Sequence, residues 1–196
     1  GRNAHLVETR LQGLAARIIR EDSASFYQIK RPTIRKILTD LLNTANQEAA
    51  IHGKSLSEFN ESDLSALPSI KKILDLVDGF GQMQIKIWSR GVIDLDPKIL
   101  DNYGVVIGGN SHDQIRMIDF SHLSAERSDY DRSNGGIMEE YDQYSRRSLN
   151  ELGGVYGLGA FLGDYYESHV PNREKFEKSW GTDQPSRNEK IGHIRP

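Results

Sequence analysis

Apolar residues recur every three or four positions along most of this chain, the spacing of helices rather than strands. Across residues 4–20, Leu6, Val7, Leu11, Leu14, Ile18 and Ile19 follow that spacing and predict a first helix. Residues 23–30 carry Phe26, Tyr27 and Ile29 and read equally as a short strand or a packed connection. After Pro32, the set Ile34, Ile37, Leu38, Leu41 and Leu42 predicts an amphipathic helix running to about Ile51, with Gly53 as its natural stop. Residues 54–67 are polar, offer Ser57, Asn60 and Ser62 as caps, and predict one short helical turn. Pro68 suits the first turn of the next helix. There Ile70, Ile73, Leu74, Val77, Phe80 and Ile87 keep one face apolar as far as Trp88, although Gly79 and Gly81 weaken the middle.

Beyond that helix the period changes. Val105, Val106 and Ile107 are β-branched, Gly108-Gly109-Asn110-Ser111 is rich in turn formers, and residues 114–118 alternate polar with apolar, which together predict a hairpin. Residues 125–136 are charged, poor in apolar side chains and end in a glycine pair, the composition of a mobile surface loop. Residues 137–147 predict another helix, and residues 149–166 are apolar enough to be buried. Their glycines, at 153, 154, 157, 159 and 163, suit close helix packing; a phosphate-cradling loop needs a Gly-Lys-Ser/Thr ending and a preceding strand, and this run has neither. From Pro171 the chain is polar, with Phe176 and Trp180 as its large anchors, and predicts an extended, partly disordered end. The expected fold is mainly α with a small β-hairpin. It divides into a helical N-terminal region (1–67), a core with an acidic loop and the hairpin (68–170) and a polar C-terminal extension (171–196).

Composition narrows the classes of function. The 196 residues, 37% of them hydrophobic, suffice for one sizeable core or two small ones. No apolar run approaches the ~20 residues that span a bilayer, and no signal-like segment opens the chain, so the expectation is a cytoplasmic protein without a membrane partner. The absence of cysteine excludes thiol chemistry and cysteine-based zinc sites. A net charge of −3 with scattered basic residues argues against nucleic acid as a partner. The histidines, at 5, 52, 112, 122, 169 and 193, show no metal-ligand spacing.

Candidate chemistry gathers between Trp88 and Ser124. An acidic loop carries Asp94, Asp96, Asp101 and Asn102, and the hairpin then runs into Asp119. In an antiparallel pair the entrance of the first strand and the exit of the second lie at the same end, so Asn102 and Asp119 are expected together. Acidic groups gathered there repel one another unless a cation intervenes, and oxygen-only ligands suit Mg²⁺ or Mn²⁺. The same residues also suit turn chemistry and helix capping with no ligand at all.

The run Asp94-Leu95-Asp96-Pro97, then Asn102, then a hairpin ending in Ile118-Asp119-Phe120-Ser121, resembles the C-terminal lobe of protein kinases and kinase-like phosphotransferases. In that family a His-Arg-Asp catalytic loop precedes a metal-binding Asn and an Asp-Phe-Gly metal motif. The resemblance implies Asn102 and Asp119 as the residues that hold Mg²⁺ or Mn²⁺ and ATP, and either Asp94 or Asp96 as the catalytic base or the group that orients the nucleophile. Asp94 matches the Asp-Leu-x-Pro run but leaves Asn102 too far downstream, with Asp96 in place of the usual catalytic-loop lysine. Asp96 needs only one inserted residue but forfeits the Leu and Pro match. Ser121 stands for the glycine of Asp-Phe-Gly. Val155-Tyr156-Gly157-Leu158-Gly159 resembles the buried helix of the same lobe, with Gly154 where an Asp is usual.

Residues 1–67 lack the Gly-rich loop and strand lysine of a kinase N-lobe. The resemblance therefore implies either a fragment whose N-lobe lies elsewhere or a divergent form that dispenses with it. The expected function is a kinase-like, metal- and nucleotide-dependent phosphotransfer. The alternative is a helical interaction module or pseudokinase scaffold whose acidic loop meets a basic protein partner. A metal-dependent hydrolase using the same carboxylates, with His112 or His122 beside them, is the weakest option.

Overall fold

The computed structural model describes residues 33–105, 115–117, 122–132, 137–170 and 173–183. The expected helix at 4–20, the segment 23–30, the turn at 108–111 and Asp119 lie outside them. Among the described residues the fold is mainly helical, with two small antiparallel strand pairs. No described helix is long and apolar enough to cross a membrane.

Helix α1 (Ile34–Ile51) buries Ile34, Leu38, Leu42, Ala45 and Ala49, one residue per turn along one face. Thr33 caps its start through the Lys36 N–H, and Gly53, with φ of 68°, follows its end as the sequence predicts. A 3-10 turn (Leu56–Glu58) closed by a Ser55/Glu58 capping box leads to short helix α2 (Glu61–Ala66), capped by Asn60. Helix α3 (Pro68–Ser89) is the axis of the molecule. It runs unbroken through both glycines, and all six positions of its expected apolar face are buried. Pro68 opens it without a side-chain cap of its own, and Glu48 of α1 fills that role by accepting from the Ser69 N–H at 3.2 Å and its Oγ–H at 2.8 Å. One hydrophobic core takes in side chains from Ile34 to Val170, on both sides of the Leu67-Pro68 junction.

After α3, Gly91 turns the chain with φ of 71° into strand β1 (Ile93–Asp94). The acidic loop follows, then β2 (Tyr103–Val105), β3 (Ile115–Met117) and β4 (Leu123–Ser124). β2 pairs with β3, Tyr103 opposite Met117, as a hairpin should. The second pair, β1 with β4 and Asp94 opposite Leu123, has no counterpart in the sequence pattern, because two residues are too few to show a period. Thr33 adds a lone antiparallel bridge to Gly104.

Three expectations are corrected. Residues 125–136 are not simply loop: helix α4 (Arg127–Arg132) occupies half of them, and Ser124 Oγ accepts the Glu126 N–H at 3.1 Å while donating to Asp129 at 2.5 Å. The helix expected at 137–147 continues as α5 (Ile137–Gly154) and turns back into α6 (Gly159–His169). Gly159 permits that turn, since a Cβ there would meet the Asn150 carbonyl oxygen at 2.6 Å. The polar C-terminal stretch contains α7 (Arg173–Ser179), ordered by packing that its composition conceals. Phe176 is fully buried, edge-on to Trp88 at 5.2 Å between ring centroids, and with Ile93 it forms a second, smaller cluster lined by Leu95 and Trp180.

Candidate functional site

The acidic loop, residues 95–102, is held at both ends by strands and along its length by two helices, α1 and α5. At its start the Leu95 N–H donates to the His122 carbonyl at 2.9 Å, extending the β1–β4 pair. In its middle Ser145 of α5, almost fully buried, accepts from the Ile99 N–H at 3.3 Å and donates to the Pro97 carbonyl at 3.2 Å. At its end the Asn102 N–H donates to the Lys98 carbonyl at 3.0 Å and closes a helical turn just before β2. The buried Tyr103 follows that turn directly.

The three aspartates of the loop occupy different environments. Asp101 faces outward, bonded to Arg35 Nη2 of α1 at 3.1 Å and to the Tyr144 hydroxyl of α5 at 3.3 Å. Asp94 is only 1% exposed. Its Oδ1 accepts the Asp96 N–H at 2.9 Å and its Oδ2 accepts the Tyr103 hydroxyl. Burial pushes the Asp94 carboxyl above its ordinary range, and the bonds from Tyr103 and the Asp96 amide pull part of the way back. The stability it contributes is therefore fully present below the ordinary value of 3.8 and is lost as pH rises through the raised one. Burial, and then the neighbouring Asp94 charge, drive the Tyr103 hydroxyl well above its usual range, so it remains a donor.

Asp96 lies at the edge of the same pocket. Its carboxylate oxygens are 3.0 and 3.1 Å from the Lys98 ammonium, and His122 Nε2 stands 4.0 Å away. Asn102 turns its amide nitrogen onto Asp96, donating to the backbone carbonyl at 2.7 Å and to Oδ2 at 3.2 Å. That orientation leaves the Asn102 carbonyl oxygen as a donor atom for a cation. The structure thus brings Asp94, Asp96 and Asn102 into one cluster and separates Asp101 from it. Asp119 lies outside the described residues, between Met117 and His122 in the sequence.

Among the described residues no group of three or more His, Asp or Glu side chains is placed to hold a metal ion. The donor chemistry still suits a hard cation. Asp96 offers a carboxylate and Asn102 an amide oxygen, the oxygen donors that Mg²⁺ accepts alongside waters.

Several residues of the cluster escaped the sequence reading. Lys98 follows Asp96 by two positions, close enough to pair with it, and that spacing was its signal. Gln84 is a polar residue one turn from Phe80 and one from Trp88 on the buried side of α3, an anomaly visible in the helical pattern. Tyr103 and Ser145 carry no such mark. No protein-family model matches the chain, and neither a curated protein nor a solved structure matches it significantly.

Proposed function

We propose that residues 68–132 form a kinase-like catalytic-loop unit of a phosphotransferase, with Asp96 as the acid that orients the accepting hydroxyl. The observation that carries this reading is the double bond of Asn102 to the carbonyl and carboxylate of Asp96, within a loop bracketed by two strand pairs. It supports Asp96 over Asp94 as the catalytic match, because Asp94 has both oxygens committed inside the protein. Chain continuity supports the inclusion of Asp119. Its flank Met117 lies opposite Tyr103, and its flank His122 lies 4.0 Å from Asp96.

In this reading Asp96 accepts the proton of the acceptor hydroxyl as that oxygen bonds to the transferred phosphorus, while the bond from phosphorus to the leaving oxygen breaks. Lys98 offsets charge on the phosphoryl oxygens, and Asn102 and Asp119 supply oxygen ligands to Mg²⁺ or Mn²⁺. A bound metal–ATP complex supplies the phosphoryl group and the neutralising cation. An N-lobe, in a longer chain or a partner protein, completes the nucleotide site. The alternative of a pseudokinase scaffold with an acidic docking loop draws less support. Asp94, Asp96 and Asp101 each have an internal partner, which leaves little uncompensated charge for a basic ligand.

The test is a thermal shift with Mg²⁺ or Mn²⁺, with and without ATP. A rise that needs both ligands and disappears in Asp119→Asn and Asn102→Ala is expected; at a hundredfold excess over Kd it corresponds to about 2.7 kcal/mol. No shift at millimolar ligand, or a shift unchanged in both variants, rejects the assignment.

A further inference from the structure

Three polar side chains form one chain through the interior, from α3 to the acidic loop. Gln84 Nε2 donates to the Tyr103 hydroxyl at 2.7 Å, that hydroxyl donates to Asp94 Oδ2, and Asp94 Oδ1 receives the Asp96 N–H. All three side chains are buried, and Phe80 lies edge-on against Tyr103 at 4.8 Å between ring centroids. Gln84 Oε1 is buried and finds no hydrogen-bond partner among the described residues. An orphaned buried acceptor costs about 1–3 kcal/mol, and an apolar trio of similar volume avoids that cost. Stability alone does not account for the network.

We infer that Asp94, Tyr103 and Gln84 are positioning residues, whose chain of bonds fixes the backbone of Asp96 to α3 and holds its carboxylate against Asn102. The inference rests on the reading of Asp96 given above. Asp94 itself touches no substrate, since both its oxygens are occupied and its side chain is closed off from solvent. The arrangement joins the rigid axis of the fold to the one loop residue whose direction matters.

The direction of these bonds supplies the test. Asp94→Leu breaks the chain, because an alkyl side chain accepts neither from Tyr103 nor from the Asp96 N–H. Asp94→Asn combined with Gln84→Glu reverses it instead: the amide at 94 donates to the Tyr103 oxygen, Tyr103 donates to the carboxylate at 84, and the carbonyl at 94 still receives the Asp96 N–H. Two readouts are taken, hydrogen exchange of the Asp96 amide by NMR and steady-state phosphoryl transfer from Mg²⁺–ATP.

In Asp94→Leu the Asp96 amide should exchange about tenfold faster, the equivalent of one net hydrogen bond, while Leu42 and Val77 in the main core exchange as before. The kcat should fall with KM little changed. The double variant should recover both properties, which it could not do if Asp94 were itself the catalytic base. A double variant as impaired as Asp94→Leu overturns the inference. So does an Asp96 amide that exchanges at the native rate in both Asp94→Leu and Tyr103→Phe, the latter removing a single hydroxyl. If the native protein transfers no phosphoryl group, the role of Asp96 falls, and amide exchange still decides whether the chain of bonds positions it.

Discussion

Helix α3 belongs to two hydrophobic clusters of very different size, and the acidic loop bridges them, with Ile99 and Leu100 in the larger and Leu95 packed against the smaller. The larger takes in α1, most of α3, the β2–β3 pair and the α5–α6 hairpin. The smaller consists of Trp88, Ile93 and Phe176, with Leu95 and Trp180 at its edge. The large cluster is redundant, because many side chains meet at each point and the loss of one leaves the rest. The small one is not: α7 has seven residues, and Phe176 is its one fully buried side chain among those described. The start of the acidic loop, at Leu95, thus rests on the least redundant part of the fold, the kind of region that tends to have low local stability.

That contrast is broken most forcefully from the large side. Phe80→Ala removes the ring that contacts both Tyr103 and Tyr166 and should cost about 3–5 kcal/mol in denaturant unfolding. A loss under 1 kcal/mol would mean that the core is less continuous than it looks. Phe176→Ala should cost less, about 2 kcal/mol, because α7 can detach while the main core stays folded. Its signature is local: faster amide exchange at Leu95 and Gly181, with Leu42 and Val77 unchanged. Uniform acceleration across both clusters would show instead that they unfold as one unit.

Glu48→Ala removes the cap that α1 provides to α3 and should cost about 1 kcal/mol, read as a shift in denaturation midpoint without a change in slope. The smallest effect belongs to Arg127→Ala. Its ion pair with Glu177 ties α4 to α7 across a half-exposed surface, and such pairs contribute about 0–1 kcal/mol. High salt should weaken the native protein slightly more than the variant; equal salt sensitivity would remove this pair from the account of α7.

The large cluster was legible in the sequence because helices advertise their buried face. Ile34, Leu38 and Leu42, and then Ile70, Ile73, Val77 and Phe80, recur at the helical period, and Gly53 and Pro68 punctuate them. The small cluster was not. Phe176 lies among Arg173, Glu174, Lys175 and Glu177, and its partner Trp88 is distant in sequence, so no local period connects them. The site was half legible. Asp96 and Asn102 were singled out by type and order, and the structure brings them together. The difference between Asp94 and Asp96 was not, since two aspartates separated by one residue look alike until their bonding partners are known. Tyr103 reads as an ordinary strand residue and Ser145 as an ordinary helix residue; each acts through a contact distant in sequence.

The end of α3 carries a further consequence. Backbone N–H groups of Gly181 and Asp183 close onto the Trp88 and Ser89 carbonyls at 2.9 Å, and Ser89 Oγ adds a bond to the Asp183 carboxylate at 2.6 Å. The last turn of the central helix is therefore finished by residues that leave the ribosome long after it does. During synthesis α1 and most of α3 can pair early, while the support beneath the acidic loop has to wait for the chain near residue 183. A nascent chain stopped at residue 170 would contain every carboxylate of the cluster and lack the clasp that completes their platform.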